Sequence, residues 1–273
     1  MAYTAIDDPE AYFQTAIWTG NGTDGRTITL PGDTDMQPDF IWVKNRTDAE
    51  DHCVMDVVRT FASGKAIRTN GTDEEGGVGT AERGWVEAAS DGFTCEDGSN
   101  SANLVNASSD TYVAWCWKAG TTSGITTNGS TDITPSAYSF NQTSGFSIIK
   151  YTGDDTNSQV AHGLSAVPKM VITKQADASR DWGVYHAGVN SGSSPEDYGL
   201  ELSDTSAQND DSGWWNDTAP DSVNITVGRD SRTNGHDGGT YIAYVFAEKQ
   251  GFSKFGKYVG NGNADGPFVY TGF

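Results

Sequence analysis

Two stretches constrain this chain more than anything else in it. Residues 110–117 read Asp-Thr-Tyr-Val-Ala-Trp-Cys-Trp, and residues 239–246 read Gly-Thr-Tyr-Ile-Ala-Tyr-Val-Phe. In a strand, Tyr112, Ala114 and Cys116 point to one face and Val113, Trp115 and Trp117 to the other. Both faces are apolar, a pattern that predicts a strand buried between two layers. Its return later in the chain predicts one structural unit built twice.

The sequence around the two strands repeats in the same order. Residues 16–22, ending Gly20-Asn21-Gly22, are matched by 147–154, with Thr152-Gly153-Asp154 at the turn. The segment 36–44, whose strand-like run opens Pro38-Asp39-Phe40, is matched by 167–174, the match lying around Pro38. The following strands, 52–56 and 182–186, align without a gap. A third copy opens at 251–262 and reaches only its first turn before residue 273. A lone hairpin cannot bury its own face, so this segment is expected to pack on an earlier unit or on a neighbouring subunit. With 33 Gly and few long runs of helix formers, the chain reads as all-β. The expected architecture is two tandem related β-sandwich units of jelly-roll or concanavalin-like type. Residues 1–120 form the first, 121–136 a Gly/Thr/Ser-rich linker, 137–250 the second, and 251–273 a C-terminal hairpin.

Charge and motifs exclude several function classes. A formal net charge of −20 is unsuited to a nucleic-acid backbone, which needs Lys and Arg, and to anionic membranes. No run of apolar residues is long enough to span a bilayer, and residues 1–10 are acidic, unlike a secretory leader. Three scattered cysteines do not make a disulfide framework or a zinc site. Residues 20–25 spell Gly-Asn-Gly-Thr-Asp-Gly, but the β-branched run that follows predicts a hairpin, whereas a dinucleotide fingerprint needs a helix there. Neither a nucleophile elbow, a His-Glu-x-x-His pair nor a phosphate-binding loop occurs. Glu74-Glu75 in the Gly-rich loop 72–80 reads as solvated, and His162 as a structural turn residue. The chain therefore reads as a non-enzyme, with no cofactor required.

Several phrases taken together carry a resemblance: Pro-Asp-Phe-Ile-Trp-Val-Lys at 38–44, Asp-Gly-Phe-Thr at 91–94, residues 110–120, His-Gly-Leu-x-x-x-Pro-Lys at 162–169, and Lys-Phe-Gly-Lys-Tyr-Val-Gly-Asn-Gly at 254–262. The chain resembles an uncharacterised repeat family of virion structural proteins of tailed bacteriophages, marine cyanophages especially. The resemblance implies a non-enzymatic component of tail, fibre or capsid decoration, located in the virion and touching other virion proteins. It supplies no catalytic residues. A homo-oligomer is expected, with a trimer favoured.

Two ligand readings stand beside assembly. Trp214 and Trp215 lie in an acidic stretch with Asp211 and Asn216. An exposed aromatic pair there would stack on the sugar of a host-surface glycan while the polar neighbours bond its hydroxyls; the alternative is that at least one indole plugs the core or a subunit contact. Asp24, Asp154 and Asp265 sit near the Gly-rich turns and offer hard oxygen ligands for Ca2+, though without EF-hand spacing.

Overall fold

The structure, a computed structural model, describes residues 4–77, 83–98 and 103–272. Residues 1–3 of the acidic N-terminal stretch, 78–80 of the expected loop 72–80, and residue 273 lie outside the described residues. The fold is all-β and sandwich-like. In chain order the first half holds β1 (Phe13–Thr19), β2 (Arg26–Ile28), β3 (Phe40–Asn45), β4 (His52–Asp56), β5 (Ile67–Arg68), β6 (Trp85–Ala89), β7 (Gly92–Glu96) and β8 (Thr111–Trp117). The second half holds β9 (Ala137–Asn141), β10 (Phe146–Thr152), β11 (Ser158–Ala161), β12 (Pro168–Gln175), β13 (Gly183–His186), β14 (Tyr198–Glu201), β15 (Asn209–Asp210), a single-turn helix α1 (Ser212–Trp215), β16 (Asn224–Val227) and β17 (Thr240–Ala247).

The strands form a five-stranded sheet in the order β1-β8-β3-β4-β5 and a seven-stranded sheet in the order β15-β14-β13-β12-β17-β10-β9. Among the described residues two small sheets, β2-β7-β6 and β11-β16, complete the set. The inner five-strand run β14-β13-β12-β17-β10 mirrors the order of the first large sheet. Registers agree as well: Ile41 faces Cys116 where Val171 faces Val245, and Trp42 faces Val54 where Ile172 faces Val184.

Three apolar cores show how the sheets stack. One joins Ala16, Ile41, Met55 and Tyr112 of the first large sheet to Ile28, Val86 and Phe93 of its small sheet. A second joins Ile149, Val171 and Tyr241 to Val160, Ile225 and Val227. The third contains Phe40, Val54 and Ile67 from one large sheet and Ile148, Ile172, Val184, Ile242 and Tyr244 from the other. The two large sheets thus lie back to back, each capped on its far side by a small one. Side chains alternate accordingly, Ile41 and Val43 to one core and Phe40 and Trp42 to the next, as the two-residue period of a strand requires.

Expectation and structure part company at two places. Strand β17 is buried along nearly all its length, but β8 alternates: Tyr112, Ala114 and Cys116 are fully buried while Val113, Trp115 and Trp117 are only half-buried. The large sheets overlap incompletely, so the outer face of β8 is only partly covered. Among the described residues the C-terminal segment forms no strands; the chain folds back so that Gly272 comes beside Lys254, without a ladder between the arms. Residues 121–136 hold no strand, yet Thr121 and Ile133 make isolated bridges to Phe140 and Val160.

Candidate interaction surface

Rows of side chains cross the back of the first large sheet. The first is Phe13, Trp117 and Phe40, set by the β1–β8 and β3–β8 registers. Their ring centroids stand 4.7 Å and 5.4 Å apart, and Phe146 and Phe246 of the other sheet close over them, 6.1 Å from Trp117. The next row is Thr15, Trp115 and Trp42, with the two indoles edge to face at 6.4 Å. The third is Ile17, Val113 and Lys44. Cover fails along this series, and Ile17 ends 68% exposed. Between the sheets a cleft of about 390 Å³ opens onto Phe13, Trp42, Trp117, Phe146, Met170 and Phe246, with Phe252 and Phe255 of the C-terminal segment as its outer wall. The surface offers apolar and aromatic contact; complete burial of a fully exposed large side chain is worth about 1.5–3 kcal/mol, and the half-buried rings here contribute correspondingly less.

A polar knot pins the sheets together deeper in the same layer. Asp56 Oδ2 accepts from Arg59 Nε at 2.7 Å and from the Tyr244 hydroxyl at 2.7 Å, and Arg59 Nη2 donates to the same hydroxyl at 3.2 Å. Asp56 and Arg59 are almost wholly buried. Burial pushes the Tyr244 phenol well above its usual pKa; Arg59 opposes that and Asp56 adds to it. Glu75 pairs with Arg59 and Lys65, and its backbone N–H donates to Ala176 O of the second half. The expectation of a solvated Glu74-Glu75 pair therefore fails for Glu75, because Arg59 draws it against the buried knot.

The residues expected to bind a glycan do come together, on one helical turn, but the indoles face inward. Asp211 caps α1 by accepting from Gly213 N–H at 2.8 Å, and Asn216 closes it in a left-handed conformation, φ 52°. Asn216 also accepts from Asn157 Nδ2 at 2.6 Å. Trp214 and Trp215 are each 2% exposed and belong to the second core. Trp214 lies against Gly199, where a Cβ would sit 2.1 Å from the indole, and Arg232 stands 4.8 Å over the ring. Trp215 packs edge to face on Tyr185 at 5.9 Å. An exposed stacking platform is thus not what these indoles form, because burying two of the chain's largest apolar side chains outweighs leaving them in water. Beside them a polar cleft of about 240 Å³ is lined by Glu201, Gln208, Asp211, Asp230 and Arg232. Arg232 pairs there with Asp181, Glu201 and Asp230.

The three aspartates expected to offer a cation site lie in three separate turns. Asp24 accepts from the Asp97 backbone N–H. Asp154 accepts from Thr156, Ser158 and Asn234; burial works to raise its pKa, but these bonds prevail and hold it below the ordinary carboxylate range. Asp265 is exposed, its N–H bonded to Asn263 Oδ1. Among the described residues no group of three or more His, Cys, Asp and Glu is placed to hold a metal ion. His162 is completely buried, accepts from Leu164 N–H at Nδ1, and sets Nε2 on Asp221 O at 3.2 Å. Burial pushes its pKa down to about 4, which fits a neutral ring tying a turn.

Sequence reasoning missed the cleft, since its lining comes from β1, β3, β8, β10, β12 and β17 at once. The available signal was the doubly apolar pattern of 110–117, which marked a second face in need of cover. No curated protein matches the chain, and no solved structure matches it. Residues 8–273 match a domain of unknown function (DUF7483), and the chain belongs to that family.

Proposed function

We propose that this protein is a non-enzymatic structural component of a bacteriophage particle, in tail, fibre or capsid decoration, working by assembly and surface contact. The observation that carries the reading is the half-covered aromatic face of the first large sheet, rising to Ile17 at 68% exposure. Contiguous apolar surface of this kind marks interaction sites. The phrase-level resemblance to virion repeat proteins and the net charge of −20 support it. The reading also takes 1–120 and 137–250 as two copies of one sandwich joined by 121–136; the matched strand orders and registers support that division. Purified particles of a phage that encodes the chain should contain it in fixed copy number by mass spectrometry, with immunogold label at one location. Its absence from washed, infectious particles would end the proposal.

A second reading, binding of a host-surface glycan, moves from the indole faces to the polar cleft, where Glu201, Asp230 and Arg232 could meet hydroxyls. A glycan array with wild type and Gln208→Ala tests it, and equal or absent binding by both removes it.

A further inference from the structure

Four strand edges bound the two large sheets, and one stands out. Strands β5 and β15 are two residues each, and β9 is met by Thr121 across Phe140. Strand β1 runs for seven residues, Phe-Gln-Thr-Ala-Ile-Trp-Thr, without a proline or a charge. Among the described residues no strand pairs with its outer side. Proteins ordinarily protect such an edge by shortness, charge, proline or a covering segment. In the second large sheet the strand in the matching position, β10, is covered on that side by β9.

A segment suited to cover β1 exists in the same chain. Residues 256–262, Gly-Lys-Tyr-Val-Gly-Asn-Gly, follow the pattern of 16–22, Ala-Ile-Trp-Thr-Gly-Asn-Gly, so the arm carries the sequence of an opening strand. Its root is fixed: Phe252 meets Tyr12 at 6.3 Å and Phe255 meets Phe246 at 6.1 Å. Phe255 also packs on His186, and Lys257 lies beside Gly188 beyond β13, so residues 255–257 lead away from β1 of their own molecule before the chain folds back to bring Gly272 beside Lys254. From there the arm displays Tyr258, Val259, Phe268 and Tyr270 at 69%, 79%, 91% and 74% exposure. Two apolar arms without a sheet to join have no stable pairing of their own. Charge favours the match too. Residues 249–264 carry Lys249, Lys254 and Lys257 and no carboxylate, whereas Asp7, Asp8 and Glu10 lead into β1.

We propose that the C-terminal arm of one molecule adds as a strand to the outer edge of β1 in a second copy. The inference rests on the assembly reading above and names its partner as another copy of this chain. Main-chain bonds of strand addition supply affinity, and apolar arm residues laid over Ile17 supply register. Donor and acceptor are different surfaces, so the contact is head to tail and propagates into a ring or a filament.

Sedimentation velocity of the full chain tests this with two variants at exposed positions. Ile17→Lys disables the acceptor; Val259→Asp with Phe268→Asp disables the donor. Unchanged circular dichroism and melting midpoint establish that each is folded. Wild type should assemble beyond dimer at roughly 100 µM, far above a micromolar Kd. Each variant alone should be monomeric, and their mixture should give a dimer and nothing larger, because only one productive contact remains. An excess of synthetic peptide 254–270 should dissolve the wild-type assemblies. A wild type that stays monomeric overturns the inference, as does a variant that assembles like wild type. Assembly untouched by either variant sinks the arm contact while leaving the particle-location experiment to judge the structural role by itself.

Discussion

Replacing Asp56 by Asn tests what holds the two large sheets together. The carboxylate is buried, and it accepts from Arg59 N–H, Arg59 Nε and the Tyr244 hydroxyl. The substitution keeps the shape and removes the charge. It leaves the Arg59 guanidinium buried, with the Glu75 carboxylate at 3.3 Å as its remaining ionic partner. Breaking a buried pair from one side costs about 3–5 kcal/mol, most of it for the stranded charge. In a chain of this size that corresponds to a fall in melting midpoint of roughly 10 °C. The triple variant Asp56→Leu, Arg59→Met, Tyr244→Phe removes both charges and the phenol together, and should cost less than Asp56→Asn alone. Equilibrium urea unfolding followed by tryptophan fluorescence measures both. A single variant within about 1 kcal/mol of wild type, or a triple variant worse than the single, would show that the layer is held by packing and that the knot is incidental.

Acid should loosen the turn at His162: its folded pKa of about 4 lies below the ordinary 6.5, so the unfolded chain binds the extra proton. Stability is then whole above pH 6.5 and falls toward pH 4, by up to roughly 3 kcal/mol; urea unfolding across that window should show this component missing in His162→Asn, and superposing pH profiles would refute it. Cys53, Cys95 and Cys116 are fully buried, and burial pushes the Cys53 thiol up to about 12 and raises the other two as well. A thiol reagent at neutral pH should find no reactive cysteine in the native protein and all three in denaturant. Gly199→Ala would drive a methyl into the Trp214 ring, and overpacking there should cost about 1–3 kcal/mol; a neutral result in the same unfolding assay would mean the indole can move aside.

Much of the fold was legible because apolar residues on both faces of 110–117 and 239–246 are a strong local pattern, and β3, β4, β12 and β13 keep their spacing around it. Strand β6 was missed: Trp85-Val86-Glu87-Ala88-Ala89 buries only Val86, so it shows little alternation. Helix α1 is a single turn, too short for a helical period, and it exists because Asp211 caps it and its indoles drop into the core. Exposure of Trp214 could not be read from its neighbours in sequence, since Gly199, on strand β14, makes the space it occupies. The third repeat was visible as words, but whether it pairs depends on finding an open edge, and no local pattern encodes that.

Strand order also sets a timetable for synthesis. Strands β8 and β17 lie inside their sheets, between β1 and β3 and between β10 and β12, yet each is the last of its half to leave the ribosome. Translation at roughly 5–20 residues per second makes the delay between β3 and β8 several seconds. During that time β1 and β3 have no central neighbour to zip against, and the aromatic back of the first sheet waits longer still for its counterpart. Until then the apolar faces of β1 and β3 stand open to misassociation, and a pause once residues up to 117 have cleared the exit tunnel would help the first sheet close before the second begins to compete for it.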